Sequence, residues 1–234
     1  MEHSVSYILD LIDKYYHQRR INNFLIKLNL KKIIDIGAHK GEFLENMISI
    51  KKKATVYSFE PQLNIFRYLQ EKFKSRKNVN VYNIAISDSN KIKKMKINIK
   101  SSTSTFSSYN QNSSWKQIKD FLLTGFRNKS IINSELVRTS SLDSFCKKKN
   151  IKNIDLLKID TEGHEMQVLN GAKFLLKKNI KFILIEFHLS KIYKHYNSHK
   201  IESILSKNDF ILVKKFKFPI LMFEDRIYVK KKIN

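Results

Sequence analysis

The sequence has a single cysteine, little arginine and no long apolar run. Because Cys146 has no second cysteine to pair with, an internal disulfide and a cysteine-built metal site are both excluded. No apolar stretch is long enough to span a bilayer. The first residues, 1–7, lack the basic and apolar regions of a secretory signal. These absences predict a cytoplasmic protein without a transmembrane segment.

Acidic residues are few beside basic ones, with 21 Asp and Glu against 45 Lys and Arg and a net charge of +24. Such a charge is typical of a partner that is nucleic acid or an anionic surface. However, the basic residues are spread along the chain, and arginine, which makes bidentate contacts with phosphates and bases, is scarce. A general bias toward lysine is the favoured interpretation, so no specific nucleic-acid partner is predicted. The length of 234 residues and the 42% hydrophobic content predict a globular fold with a substantial core.

The stretch from Ile33 to Phe43 organises the chain, because it reads as a buried strand, a glycine turn and the start of a helix. Gly37 allows a tight turn, and Gly41 allows a backbone or a ligand to come close. His39 stands where a dinucleotide fingerprint has its second glycine, and the carboxylate of Asp35 would repel a diphosphate. A cationic cofactor without phosphate, S-adenosylmethionine, suits this turn better than NAD.

A second strand ends in Glu60, 23 positions after Gly37. At this spacing in a strand–helix–strand unit, an acid reaches the hydroxyls of a ribose, and its two oxygens can accept from both. The alternative is an ordinary solvated acid at a strand end. Gly37 and Glu60 together are a more specific signal for a nucleoside cofactor than either residue alone.

The chain divides into an N-terminal helical segment, residues 1–30, and a main domain, residues 31–234. The first segment has helical apolar spacing and is predicted to pack on the domain or to cover the cofactor cleft. A homodimer contact or a membrane-facing role stays open as an alternative. Residues 101–134 form a polar insertion with interspersed aromatic residues, which suits a lid or a saccharide-binding surface. A plain surface loop with a short helix near residues 116–123 is an equal alternative.

Ionisable residues cluster after two buried strands of the second half. One strand ends in the segment 160–165 and the next in the segment 186–188. Because open α/β sheets bind ligands at the carboxyl ends of their strands, one crevice should gather Asp160, Glu162, His164, Glu186 and His188. Each residue also has a structural alternative, such as capping a helix, pointing to solvent or ending a strand. No ligand spacing demands a metal, so no metal site is predicted.

Three stretches resemble the FkbM-type methyltransferase family: Asp35–Phe43, Phe59–Pro61 and Leu157–Glu165. Shorter stretches at 83–88, 141–143 and 185–186 are similar to the family pattern in the expected order. The resemblance covers about residues 33–188. It departs from the family at His39, where such proteins often carry Asn.

The resemblance implies an α/β fold of the class I methyltransferase type, with a doubly wound, Rossmann-like, mainly parallel seven-stranded sheet. It also implies that S-adenosylmethionine is the cofactor and that a methyl group is transferred to a hydroxyl. The acceptor would be a sugar, a glycan or glycolipid, or another small molecule. The implied cofactor-binding residues are Asp35, Gly37, Ala38, His39, Gly41, Glu60, Ala85 and Asp160, with the glycine stretch at the amino-acid end and Glu60 at the ribose.

Methyl transfer to an alcohol needs alignment and a base within hydrogen-bond reach of the hydroxyl. The candidate base is Glu162 or His188, and Glu186 would orient His188 or the acceptor. One alternative function is RNA or DNA methylation. Methylases that act on base nitrogens often carry an Asp/Asn-Pro-Pro-aromatic pattern, whereas the segment 160–163 has no proline. A second alternative is a non-catalytic module that binds the cofactor.

Overall fold

The computed structural model describes residues 2–110, 112–114, 116–118, 131–189, 192–219 and 223–231. The named helices are α1 (Glu2–Ile12), α2 (Gln18–Leu25), α3 (Glu42–Ile50), α4 (Leu63–Lys72), α5 (Leu142–Lys148), α6 (Glu165–Asn170), α7 (Lys173–Lys178) and α8 (Ser198–Lys207). A π-helical turn spans Asp13–His17 and a 3₁₀ turn spans Ser101–Thr103. The strands are β1 (Lys32–Ile36), β2 (Thr55–Phe59), β3 (Val79–Tyr82), β4 (Ala85–Ile86), β5 (Ile92–Asn98), β6 (Ile131–Ser140), β7 (Ile154–Ile159), β8 (Ile180–His188), β9 (Phe210–Lys217) and β10 (Phe223–Lys230).

Seven strands form one sheet in the order β3-β2-β1-β7-β8-β10-β9. The first five of these run parallel, and β10 pairs antiparallel with both β8 and β9. The chain builds outward from β1 on one side and then returns to build outward from β7 on the other. This winding places helices on both faces of the sheet. The prediction of a doubly wound, mainly parallel seven-stranded sheet is confirmed.

Apolar side chains of β1 point alternately into two cores, as the period of a strand requires. Ile34 and Ile36 belong to a buried cluster that also contains residues of α5, α6, α7 and α8. Ile33 belongs to a second buried cluster, with residues of α2, α3 and α4. Fully burying each such side chain contributes about 1.5–3 kcal/mol. Because both faces are covered, a ligand reaches this sheet at the ends of its strands.

The N-terminal helical segment packs against this sheet through α2, whose Ile21 and Leu25 are buried in the second cluster. Between α1 and α2, the π-helical turn places His17 Nε2 2.7 Å from Asp225 Oδ2 on β10. This contact is buried, so it anchors the turn to the end of the sheet. The division of the chain at residue 30 and the homodimer contact stay predictions. Within the described residues, no helix has the length and apolar character needed to cross a bilayer.

A smaller sheet, in the order β4-β6-β5, stands beside the large one. The proposed insertion at 101–134 is shorter than predicted, since residues 131–134 begin β6 and pair antiparallel with the end of β5. Backbone pairing overrides the polar composition that predicted a loop here. Residues 116–118 are helical, whereas residues 119–130, with the rest of the short helix predicted there, lie outside the described residues.

Candidate functional site

A cavity of ≈ 1300 Å³ opens at the carboxyl ends of β1, β2, β7 and β8. Its walls also include the Ser101–Thr103 turn and parts of α1 and the π-helical turn. The predicted site residues that line it are Gly37, Ala38, His39, Glu60, Ala85, Asp160, Glu162, Glu186 and His188. The structure therefore brings most of the predicted residues together around one space. Asp35 and Gly41 do not line this cavity.

The turn after β1 depends on two glycines for different reasons. Gly37 has φ +82°, and a Cβ there would lie 1.8 Å from the carbonyl oxygen of Asp160. The turn is held by the N–H groups of Gly37 and Ala38, which both donate to the carbonyl oxygen of Phe59 at 3.1 Å. At Gly41, a Cβ would meet side chains of α4 at 2.8 Å. The close approach predicted at Gly41 is thus made by apolar side chains, and its contact with the cofactor stays a prediction.

Glu60 and His39 join the ends of β1 and β2. One carboxylate oxygen of Glu60 accepts from the N–H of His39 at 2.9 Å, and the other accepts from the N–H of Gln62 at 2.8 Å. Burial raises the pKa of Glu60, and these two hydrogen bonds oppose that shift. His39 has φ +45°, a conformation that His and Asn adopt more readily than most residues. The ring of His39 contacts Ser101 Oγ at 2.8 Å, so this residue orders the cavity wall.

Lys158 lies between two aspartates at the base of the cavity. Its Nζ is 3.3 Å from Asp35 Oδ1 and 3.2 Å from Asp160 Oδ2, and it donates to the carbonyl oxygen of Gly37 at 3.1 Å. Burial lowers the pKa of Lys158, but the attraction of Asp160 and Asp35 outweighs it, so the net pKa is raised. Asp35 is fully buried, and burial raises its pKa. Asp35 is paired with Lys158 behind the cavity surface, so its contact with the cofactor stays a prediction.

One lysine cannot neutralise two carboxylates, so this group keeps a net negative charge. The Asp160 side chain is 41% exposed and lines the cavity. The negative charge predicted at the glycine turn is therefore presented by Asp160, with Asp35 acting through Lys158.

The turn after β7 is strained at Glu162, which has φ +53° without being glycine or asparagine. Such strain persists only where surrounding contacts enforce it, and it is common at functional sites. Here the carbonyl oxygen of Glu162 accepts from Thr105 Oγ1 at 2.6 Å, and Glu162 Oε2 accepts from the hydroxyl of Tyr193. At Gly163, a Cβ would lie 2.7 Å from the Tyr193 ring. These contacts aim the Glu162 carboxylate along the cavity wall. Glu165 instead accepts from the N–H groups of Thr161 and Gly163 within the turn.

His164 is buried rather than solvent-exposed. Its Nε2 is 2.9 Å from Ser87 Oγ, and its ring packs beside Phe106. Burial lowers the pKa of His164 to about 4, and the charge of Lys93 adds to this shift. The ring is therefore neutral at physiological pH and contributes shape and hydrogen bonding to the cavity.

Glu186 and His188 stand two residues apart on β8 and project to the same side of the strand. Both are nearly buried, and their closest ligand-type atoms, Glu186 Oε2 and His188 Nε2, are 3.4 Å apart. The rings of Tyr193 and Tyr196 contact the imidazole edge to face. Glu186 is thus placed to orient His188, as one of the sequence alternatives proposed.

Solved structures show which class of fold surrounds this site. Methyltransferase FkbM from Methylobacillus flagellatus KT has a TM-score of 0.53 at 15% identity, covering 87% of this chain and 45% of that one. A SAM dependent methyltransferase from Aquifex aeolicus has a TM-score of 0.52 at 10% identity, covering 99% of both chains. Aeropyrum pernix fibrillarin, solved with natively bound S-adenosyl-L-methionine, has a TM-score of 0.53 at 10% identity, covering 93% and 76%. The fold is that of the class I methyltransferases.

The methyltransferase FkbM domain profile matches residues 35–212, more than half of the chain. The chain belongs to the FkbM methyltransferase family, as predicted, and S-adenosylmethionine is the cofactor of this class. The 2-O-methyltransferase NoeI of Sinorhizobium fredii (strain NBRC 101917 / NGR234) is 25% identical over 162 residues. That match covers 69% of this chain and 65% of NoeI, so the chain spans somewhat less than two thirds of its relative.

Sequence reasoning gave no role to three residues that shape the site. Lys158 could have been found, since it is a lysine within an otherwise apolar run, Leu156–Ile159, which is the signal of a paired buried charge. Glu165 is one of several ionisable residues in the segment 160–165, and the sequence does not show that its side chain is the buried one. The turn after β7 buries it. Tyr193 contacts Glu162, which lies 31 positions earlier in the sequence, and no local sequence pattern predicts this contact.

Proposed function

We propose that this protein is an S-adenosylmethionine-dependent O-methyltransferase that acts on a hydroxyl of a sugar, a glycan or glycolipid, or another small molecule. The observation that carries the proposal is the sign of the charge in the cavity, which is opposite to that of the chain. Eight carboxylates line the cavity: Asp10, Asp13, Glu42, Glu45, Glu60, Asp160, Glu162 and Glu186. Five basic residues line it: Lys14, Arg19, Lys40, Lys100 and Lys158. A sulfonium and a neutral hydroxyl suit this surface, whereas it repels the phosphates of a nucleic acid.

The cofactor fits the cavity in one direction. The turn at Gly37–His39 and the charge of Asp160 would hold its amino-acid end. Glu60 would accept from the ribose hydroxyls with the lone pairs that its two backbone contacts leave free. Ala85, a small buried residue that lines the cavity, would face the adenine.

Glu162 is the proposed base. His188 Nε2 faces two buried carboxylates, Glu186 at 3.4 Å and Glu165 at 3.9 Å, so that nitrogen is directed away from an acceptor. Glu162 instead lines the cavity, where its carboxylate can take the proton of an acceptor hydroxyl. The hydroxyl oxygen then attacks the methyl carbon, and the electron pair of the breaking carbon–sulfur bond returns to sulfur. A neutral thioether product, a methyl ether and a protonated Glu162 result.

The cavity has room for an acceptor beside the cofactor, because pockets for single small ligands measure about 300–1,000 Å³. The N-terminal helical segment contributes Asp10, Tyr15, Gln18 and Asn22 to the cavity lining. Polar groups with an aromatic ring suit a hydroxyl-rich acceptor. The name of the relative NoeI, 2-O-methyltransferase, supports transfer to oxygen.

We expect Glu60→Gln to raise the dissociation constant for S-adenosylmethionine by a factor that corresponds to roughly 1.5–3 kcal/mol, the range for a hydrogen bond to a charged group. Calorimetry with S-adenosylmethionine and its demethylated product measures this change. Glu71→Gln is the matched control, since it removes the same charge from an exposed position on α4. Equal affinities for the two variants would remove Glu60 from the ribose role.

The proposed function is tested by incubating the protein with methyl-labelled cofactor and pools of saccharides, glycolipids, small alcohols and RNA. We expect label in a hydroxyl-bearing small molecule or saccharide, and not with the Glu60→Gln variant at a limiting cofactor concentration. Sequence-selective labelling of RNA at physiological salt would instead establish the nucleic-acid alternative. Cofactor binding without label in any pool would favour a non-catalytic module.

A further inference from the structure

Three metal-ligand side chains converge beneath the turn that carries Glu162. Glu165 begins α6, and Glu186 and His188 come from the end of β8. Each side chain offers one carboxylate oxygen or imidazole nitrogen, and these three atoms all lie within 4.8 Å of one another. All three residues are at least nine-tenths buried, with exposures of 0%, 9% and 8%. We call these residues the carboxylate–histidine cluster.

The two carboxylate oxygens of Glu165 differ in the hydrogen bonds that they accept. Oε1 accepts from the N–H of Thr161 at 3.0 Å, the hydroxyl of Thr161 at 3.1 Å and the N–H of Gly163 at 3.1 Å. Oε2 is fully buried and has no hydrogen-bond partner among the described residues. A buried carboxylate oxygen without a partner is costly, so it calls for a ligand. The contacts of Oε1 meanwhile fix the orientation of the carboxylate, as partners of metal-binding side chains do.

Glu186 repeats this arrangement from the other side of the cluster. Its Oε2 is also buried without a hydrogen-bond partner among the described residues. The nearby positive charge of Lys158 is engaged by Asp35 and Asp160, and Arg226 is engaged by Glu202 and Glu224. The carboxylates of Glu165 and Glu186 therefore face the imidazole of His188, and neither of these two described cations is paired with them.

We propose that the carboxylate–histidine cluster binds a divalent first-row transition-metal ion through Glu165 Oε2, the Glu186 carboxylate and His188. Two carboxylates and one imidazole combine the oxygen donors that suit manganese with the nitrogen donor that suits zinc and iron. Neighbouring ligand atoms of a tetrahedral ion are about 3.4 Å apart for bonds of about 2.1 Å. Because the atoms of the cluster lie within 4.8 Å of one another, they would move together by up to about 1.4 Å when the ion binds.

The site would be open toward the reaction space, which links it to the proposed function. Glu186 and His188 line the cavity, whereas Glu165 closes the site from behind. An acceptor hydroxyl could complete the coordination of the ion on the cavity side, where Glu162 also lies. The ion would lower the pKa of that hydroxyl and hold its oxygen toward the methyl group, and Glu162 would still take the proton. This role rests on the proposed function, whereas binding of the ion does not.

The test measures binding of Mn²⁺ alone and of Zn²⁺ alone to chelator-treated protein, without cofactor or acceptor, by electron paramagnetic resonance and calorimetry. We expect one ion for each chain, and binding weakened roughly 10–100-fold or more in Glu186→Gln. Glu165→Gln should have the same effect, and Glu186→Gln keeps the test valid if loss of the Glu165 contacts disturbs the turn. The control Glu71→Gln removes a carboxylate at an exposed position on α4 and should bind the ion as the wild type does.

Absence of stoichiometric binding by the wild type would overturn the proposal, as would equal binding by both cluster variants. Measurement of methyl transfer distinguishes a failure of the activating role of the ion from a failure of the proposed function. Full turnover by metal-free protein would refute the activating role and leave the O-methyltransferase standing. Metal binding without methyl transfer to a hydroxyl would refute the proposed function and leave the metal site standing.

Discussion

Replacing Glu162 by glutamine should lower turnover about 10²–10⁴-fold, the usual cost of losing a general base. The substitution keeps the shape of the side chain and can preserve the hydrogen bond from Tyr193, but it removes the group that accepts the proton. Affinity for S-adenosylmethionine should stay close to that of the wild type, because the proposed cofactor contacts come from Glu60, Asp160 and the glycine turn. Single-turnover kinetics and calorimetry on the same preparation separate these two quantities.

Two further variants complete the test of which residue is the base. Glu71→Gln on the exposed face of α4 controls for the change in net charge and should have normal turnover. His188→Gln tests the other candidate base. If Glu162→Gln keeps near-normal turnover while His188→Gln does not, the base is His188, and the reasoning from the direction of its Nε2 is wrong.

Replacing Lys158 by methionine should reduce the free energy of unfolding by about 3–5 kcal/mol, the cost of breaking a buried ion pair from one side. The fully buried carboxylate of Asp35 would keep its charge and lose the ammonium that compensates it. The loss of the Lys158 ion pair would cost less free energy at Asp160, because its side chain is 41% exposed and water can solvate it. Urea unfolding followed by circular dichroism measures the change.

The double variant Lys158→Met/Asp35→Asn identifies the origin of this loss. Removing the stranded charge should recover more than half of the stability that Lys158→Met loses. Lys74→Met is the control, because Lys74 pairs with Glu71 at an exposed position and such pairs contribute at most about 1 kcal/mol. A Lys158→Met protein as stable as Lys74→Met, or a double variant without recovery, would contradict this account.

The doubly wound sheet could be predicted from the family resemblance, and the edge of the sheet that gathers the ionisable residues could be predicted from local signals. β1 and the turn after it combine a β-branched run with glycines, and Gly37 has the positive φ that the turn requires. The acids that end β2, β7 and β8 were predicted to meet because carboxyl ends of parallel strands share one edge. The structure places them there around a common cavity.

The distribution of charge within the site could not be predicted, because it depends on contacts distant in sequence. Lys158 reaches Asp35 across the β1–β7 pair and turns its charge inward. At Gly41, the neighbour that needs the missing Cβ is the side chain of Leu69 on α4, which is distant in sequence. The length of β6 was also missed, since its polar first residues are held by pairing with β5 rather than by their own propensity.

The position of the N-terminal helices has a consequence for how such an enzyme can diversify. The family match begins at residue 35, whereas α1 and the π-helical turn precede it and form one wall of the cavity. With the proposed function, the wall that meets the acceptor and the turn that holds the cofactor are encoded in separate stretches of the gene. Selection can therefore change the codons of residues 7–25 to exchange one acceptor for another, while the codons of the residues that hold the methyl donor stay unchanged.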